Sequence, residues 1–546
     1  MNKSNKTRSA GLPAITLILL SLILLTTGCD VPPANPTDGV YPTVVSATTS
    51  SDTFSDMGPA DDSIVSGTLR LWMPRQQSYN PLTNDDVQYN YVCNLMYQSL
   101  YVSDGQGVLV PELADGHGVW DTDGLIYTVK LRTDARFSNQ TPVTAGYYLE
   151  LFSYIARQES SPYKSSLDIV QSVEAPNEST LVFTLKQRDP FFAYRLLLPI
   201  CDVTVGDLDG GPPPGSGRYA PVEKKDDGGL ILEQNEQWGD GPKGKIETID
   251  VRIYENYEAA LQAFSSDELD LVPLPSSSYS EMIRRQNISV RAYDSLNYYF
   301  VNYNIDRKDP PFPTEDDLLY IKQILTSAAL ATDVVEASLV GQAPYPIHPS
   351  LAGNASVFGA SATESDSATD FTWSSDKRSL LIIYLHGDKI AETIAETAVR
   401  KLAMAGVRAE GNALYADTYE ERLADGVYDI AVCDLHLGSN PDPGWMYGRV
   451  SEYAPKGAGA LSQLAFDSYS RATDELAEFE VIKSESPLDV PQYYELVSAC
   501  ERVAPFTGVG FAYEGLMIGP RVRGNIGSHA LNPYAKIEEL WIWSGQ

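Results

Sequence analysis

From Ser66 onward, strand-like runs alternate with segments whose apolar residues recur at helical spacing, and turn residues separate them. A chain patterned this way must stack helices against sheets. Ser66–Trp72 alternates as a strand does. Val87–Leu100 places Val92, Leu95, Met96 and Leu100 at helical spacing. Asp121-Thr122-Asp123-Gly124 closes a hairpin at a glycine that tolerates positive φ. Ile126–Arg132 alternates again, and Thr144 is placed to cap a helix through Ala156. Leu380–Leu385 followed by a helix from Ile390 to Ala405, ended by Gly406, reads as a βα unit. With 546 residues, the chain exceeds what one core holds, so two or three domains are expected.

The formal net charge of −33 argues against nucleic acid, whose phosphates demand clustered Lys and Arg. It also argues against a basic patch for a membrane surface. It names no cationic ligand, because a spread acidic surface chiefly keeps a protein soluble. Tyrosine is frequent, with 33 residues. Its flat ring and hydroxyl suit either half-buried strand positions or a surface that grips mixed polar and apolar ligands.

The first residues carry an address. Lys3, Lys6 and Arg8 precede an apolar run from Leu12 to Leu25, of signal-peptide length and short for a membrane span. The run ends in Leu24-Leu25-Thr26-Thr27-Gly28-Cys29, which resembles a bacterial lipobox with Thr26 in place of its usual leucine. Residues 1–28 are expected to be a lipoprotein signal peptide, with Cys29 lipidated as the mature N-terminus. Residues 29–62, rich in Pro, Ser, Thr, Gly and Asp, read as a flexible tether. The remaining cysteines, Cys93, Cys201, Cys433 and Cys500, form no Cys-x-x-Cys pair. They are open to disulfide formation in an oxidising compartment, and read more simply as small buried hydrophobes.

Enzyme signatures are sparse. The five histidines have no metal-site spacing. Ser161-Pro162-Tyr163-Lys164 and Ser374-Ser375-Asp376-Lys377 match Ser-x-x-Lys, but without a Ser-Asp-Asn or Lys-Thr-Gly partner. No metal, cofactor or catalytic residue is expected. Two classes stay open: a binding protein, and an extracytoplasmic hydrolase acting on peptides or cell wall.

The order of several blocks resembles a known family. Asn80-Pro81-Leu82, Tyr97-Gln98-Ser99-Leu100, Pro111-Glu112-Leu113-Ala114, Trp120, Asp123-Gly124-Leu125, Leu131-Arg132 and Thr141-Pro142-Val143-Thr144-Ala145 are similar to the family 5 extracellular solute-binding proteins of oligopeptide, dipeptide and nickel ABC importers. Gly215-Ser216-Gly217-Arg218-Tyr219 resembles that family's Gly-Thr-Gly-Pro-Tyr turn, with Arg218 replacing the proline. Leu296–Asn304 resembles a strand crossing between lobes, Glu315–Leu330 the helix after it, and Tyr428–Val432 a later strand.

The resemblance implies an α/β fold of two periplasmic-binding-protein-like lobes joined by a hinge. Lobe I would comprise residues 63–296 and 511–546, with an extra subdomain at 101–203. Lobe II would span 297–510. It also implies a monomer on the outer face of the bacterial cytoplasmic membrane, held there by its lipid. That protein would enclose a peptide-like ligand and pass it to ABC permease subunits. A metal chelate, sugar or signalling peptide on the same fold stays open. The ligand-contact positions this implies are Tyr79, Asn80, Gln98, Tyr298, Tyr299, Asn302, Asp442 and Trp445. Asp442 is the candidate partner for a ligand ammonium, and Trp445 either stacks on ligand or packs beneath it. Strand alternation forbids Tyr298 and Tyr299 from facing the same way.

Overall fold

A computed structural model describes residues 67–438 and 504–543, apart from 105–107, 286–287, 305–306, 308–311, 313, 332–338, 345, 347, 349–372 and 375–376. Residues 1–28, expected to be a signal peptide, Cys29, the expected tether of residues 29–62, Asp442, Trp445 and Cys500 lie outside the described residues. Residues 48–546 belong to one compact unit.

In chain order the elements are β1 (Thr68–Met73), α1 (Val87–Met96), β2 (Tyr101–Ser103), β3 (Leu109–Pro111), β4 (Val119–Trp120), β5 (Ile126–Lys130), α2 (Ala145–Arg157), β6 (Val170–Asn177), β7 (Thr180–Leu185), β8 (Tyr219–Lys224), β9 (Leu230–Gln234), β10 (Thr248–Ile253), α3 (Tyr257–Ser265), β11 (Leu271–Leu274), α4 (Ser276–Met282), β12 (Ser289–Tyr303), α5 (Glu315–Ile324), α6 (Ser327–Ala331), β13 (Leu339–Gln342), β14 (Leu380–Leu385), α7 (Lys389–Met404), β15 (Ala409–Leu414), α8 (Ala416–Ala424), β16 (Ile430–His436), β17 (Phe506–Ile518), β18 (Val522–Arg523) and β19 (Trp541–Ile542).

The first lobe is built on the sheet β1-β10-β9-β8, in which β1 runs parallel to β10. Alternation along β1 gives each face its own core. Leu69, Leu71 and Met73 enter a large cluster with α1 and the sheet β4-β5-β7-β6, while Trp72 enters a smaller cluster with α3, α4 and β11. Asp86 caps α1 by accepting from the Tyr89 N–H at 2.8 Å. The helix stops at Met96, short of the expected Leu100, because Tyr97 turns extended while its N–H still reaches the Cys93 carbonyl.

The Gly-Ser-Gly turn lies directly under that helix end. Gly217 N–H donates to the Met96 carbonyl at 2.8 Å. A Cβ at Gly217 would press on that same carbonyl group and come within 2.7 Å of Leu95 O. Gly217→Ala should therefore cost about 1–3 kcal/mol, read as a lower urea midpoint. An unchanged midpoint would contradict this packing. Arg218, where the resembled family has proline, lies 4.5 Å above the Trp238 ring and pairs with Glu538 at 3.2 Å. The substitution thus fastens the C-terminal stretch to the first lobe.

A seven-stranded sheet, β11-β17-β12-β16-β14-β15 with β13 also pairing β17, runs from β11 in the first lobe into the second. Strands β14, β15 and β16 run parallel to one another, as a βα crossover requires. Helix α7 packs Ile390, Ile394, Ala398 and Leu402 onto them. It starts at Asp388, whose Oδ1 accepts from Ile390 N and Ala391 N at 2.9 and 3.0 Å, and ends before Gly406 at φ 78°. The single helix expected over Glu315–Leu330 is two, α5 and α6. Leu325 leaves helical geometry, and the Thr326 hydroxyl caps the second piece by accepting from Ala329 N.

Two strands run through both lobes. Val290 and Tyr293 of β12 enter first-lobe clusters, whereas Tyr299, Val301 and Tyr303 enter the second-lobe core. On β17, Val509 and Ala512 join the second-lobe core, and Leu516 and Met517 join first-lobe clusters. The β12–β17 register shifts between Asp294 and Tyr298, where the strands pass from one core to the other.

Candidate ligand-binding site

At that passage the two lobes meet in polar contacts. Asn297 of β12 donates through Nδ2 to Ser276 Oγ at the start of α4, at 3.0 Å. The Leu437 N–H, just past β16, donates to the Leu296 carbonyl at 3.0 Å. In the β12–β16 register, Asn297 opposes His436 and Tyr299 opposes Asp434. Cross-strand partners share a face, as do residues two apart, so all four side chains stand together. Tyr299 Oη donates to Asp388 Oδ2 at 2.9 Å, which ties the helix cap of α7 to the same face.

Electrostatics marks this face as a crevice. Asp434 and His436 are solvent-exposed. Yet burial, with the nearby Asp388 charge adding to it, pushes the Asp434 carboxyl up to about 6. Burial also holds His436 below the ordinary imidazole range. Neighbouring atoms thus keep part of the water from these side chains and disfavour their charged forms. Asp294, at the β12 register shift, is likewise exposed and raised by burial. Such carboxylates are poised for a cationic or hydrogen-bond-donating ligand.

The opposite face of β12 is aromatic. Tyr298 lies 6.1 Å from Phe300 and 5.0 Å from Phe511, and His348 meets Phe511 edge-on at 4.8 Å. Gly508 has no room for a Cβ because the Tyr298 hydroxyl occupies that space. Asn302 donates through Nδ2 to Tyr428 Oη at 2.9 Å, while its Oδ1 is buried without a partner among the described residues.

The expected contact residues divide accordingly. Tyr298 and Tyr299 do face opposite ways. Tyr79 is buried in the first lobe, donating to the Gly228 carbonyl at 2.5 Å. Asn80 donates to Tyr154 Oη at 2.8 Å and accepts from Leu82 N. Gln98 is buried and donates to Asp240 Oδ2 at 2.6 Å, beside Glu112. The structure thus gathers Tyr299 with Ser276, Asn297, Asp388, Asp434 and His436, and keeps Tyr79, Asn80 and Gln98 within first-lobe packing. Asp434 and His436 are not among the contact positions expected from the sequence. The alternation Cys433-Asp434-Leu435-His436, with polar residues at every second place, was the available signal.

Among the described residues no three His, Cys, Asp or Glu side chains gather as a metal site would require. Cys93, Cys201 and Cys433 are free, buried thiols, and burial pushes Cys433 up to about 12. Such thiols stay protonated and unreactive.

The family described as bacterial extracellular solute-binding proteins, family 5, matches residues 108–317. Over that stretch the chain is similar to that family. Protein XP55 of Streptomyces lividans is 29% identical over 209 residues, 36% of this chain and 38% of the relative. The oligopeptide-binding protein OppA of Bacillus subtilis is 26% identical over 218 residues, 33% of this chain and 39% of the relative. The matched stretches thus span about two fifths of those curated relatives. The crystal structure of the ABC transporter substrate-binding protein CtaP from Listeria monocytogenes superposes with a TM-score of 0.68 at 18% identity, covering 88% of this chain and 99% of that one. The chain therefore has the two-lobe periplasmic-binding-protein fold. No helix among its described residues is long and apolar enough to cross a membrane.

Proposed function

We propose that this chain is the lipid-anchored, extracytoplasmic substrate-binding protein of an ABC importer, and that it encloses a peptide-like ligand between its lobes without altering it. The observation that carries this reading is the pair of strands, β12 and β17, that run through two separate cores and meet in a polar crevice. Only those strands need bend for the lobes to close, so neither core must unfold. Closure would strip water from Asp434 and its neighbours and strengthen their hydrogen bonds to a ligand. The lobes would divide at residues 296/297 and 510/511. Asp442 and Trp445 would complete the site from the segment after β16, and the permease subunits would receive the closed form.

Isothermal calorimetry with a mixed peptide library tests the reading. Saturable heat with every peptide recovered intact is the expected result. Cleaved peptides would establish a hydrolase instead.

The anchor has its own test. Cys29→Ala should move the chain from the membrane fraction to the soluble extracytoplasmic fraction and abolish incorporation of labelled palmitate. Label retained in the variant would refute lipidation at Cys29.

A further inference from the structure

A second polar feature lies where β17 enters the first lobe, on a face that the crevice residues do not use. Glu514 directly opposes Tyr293 in the β12–β17 register. The Tyr293 hydroxyl is within electrostatic reach of Glu514 and of the Tyr91 and Tyr534 hydroxyls, and that of Tyr91 is within reach of Glu514. Tyr91 of α1 and Tyr534 of the C-terminal stretch meet edge-to-face, with centroids 6.5 Å apart. Four side chains from four distant segments thus converge.

Three properties make the cluster more than packing. Glu514 is only partly buried, so it is reachable. Burial pushes its carboxyl up to about 7, with no cation among the described residues lowering it. Tyr534 is 1% exposed, and its hydroxyl is buried with no hydrogen-bond partner among the described residues. A buried hydroxyl without a partner is costly, and a ligand that bonds to it would remove that cost. Aromatic rings around one carboxylate suit a compact cation with an attached carbon chain. Ring faces attract the charge, the carboxylate neutralises it, and phenol oxygens accept its N–H groups. A divalent metal would need several charged oxygens, and the cluster supplies one carboxylate.

We infer that Glu514, Tyr91, Tyr293 and Tyr534 form a binding subsite for a primary alkylammonium group. The subsite deepens the proposed ligand-binding function, on which it rests for its biological ligand, by naming a cationic amine as part of what is recognised.

Calorimetry of the full chain with butylammonium chloride, and with 1-butanol as the neutral control, tests it. Saturable butylammonium binding is expected, with none for 1-butanol. Glu514→Gln should weaken that binding at least tenfold, and Tyr534→Phe a few-fold, while both variants unfold at or above the wild-type midpoint. No saturable binding up to 0.1 M, or equal affinity in Glu514→Gln, overturns the subsite. Peptide calorimetry on the same variants separates the two ideas. Peptide binding that survives Glu514→Gln unchanged leaves the importer reading standing and removes the subsite. Butylammonium binding without peptide binding does the reverse.

Discussion

Asp270→Ala should lower the stability of the first lobe by about 3–5 kcal/mol, one of the two largest effects expected of a single substitution here. Asp270 is fully buried between α3 and β11. Its carboxylate accepts Arg70 N at 2.7 Å, Arg70 Nε at 3.0 Å and Arg70 Nη2 at 2.8 Å, and it pairs with Arg521 at 2.9 Å. One carboxylate therefore binds the first strand, the entry to β11 and the C-terminal stretch. Alanine would leave the Arg70 charge half-enclosed without its counterion, and would leave an N–H of β1 unmet. Arg521→Ala should cost no more than about 1 kcal/mol, because that side chain is about one-third exposed. Urea unfolding followed by first-lobe tryptophan fluorescence checks both. Similar midpoints for the two variants would refute the ranking.

Glu112→Gln should stabilise the chain at neutral and alkaline pH, and not in acid. Glu112 accepts the Ser99 N–H at 2.7 Å and lies beside Gln98 and Asp240. Burial outweighs these contacts and raises its carboxyl from 4.5 to about 7. The folded state thus holds a proton that the unfolded chain has released. The resulting stabilisation is fully present below pH 4.5 and is lost as pH rises through 7. Gln mimics the protonated form at every pH and can still accept from Ser99. At about 1.4 kcal/mol per pKa unit, the variant should gain roughly 3 kcal/mol over wild type at pH 8 and almost nothing at pH 4.5. Melting curves across that range decide it, and a gain independent of pH would be the contrary result.

Local structure was legible where one residue sets it. The alternation of Leu69, Leu71 and Met73 gave β1. Gly124 and Gly406, both at positive φ, marked a hairpin and a helix end. The helical spacing of Ile390, Ile394, Ala398 and Leu402 gave α7. Strand β12 was longer than expected because Ser289–Ser295 is largely polar, and its extended form is fixed by pairing with β17, some two hundred residues away. The interrupted helix at Leu325–Thr326 also escaped notice, since the apolar spacing continues across it.

The crevice was legible least. Asp434 meets Tyr299, and Tyr299 meets Asp388, only through sheet register and a helix cap made over long sequence distances. Gln98 shows the converse. Its neighbours in sequence resemble a family block, yet the side chain is buried against Asp240, whose proximity no local pattern announces.

In the proposed function, the two lobes hinge on β12 and β17 to enclose a ligand. Small-angle X-ray scattering, before and after saturation with the tightest peptide from the library, tests it most directly. The account predicts a smaller radius of gyration on binding, reversed when the intact peptide is dialysed away. A bound complex with scattering identical to the free chain, or a peptide recovered in fragments, would contradict it.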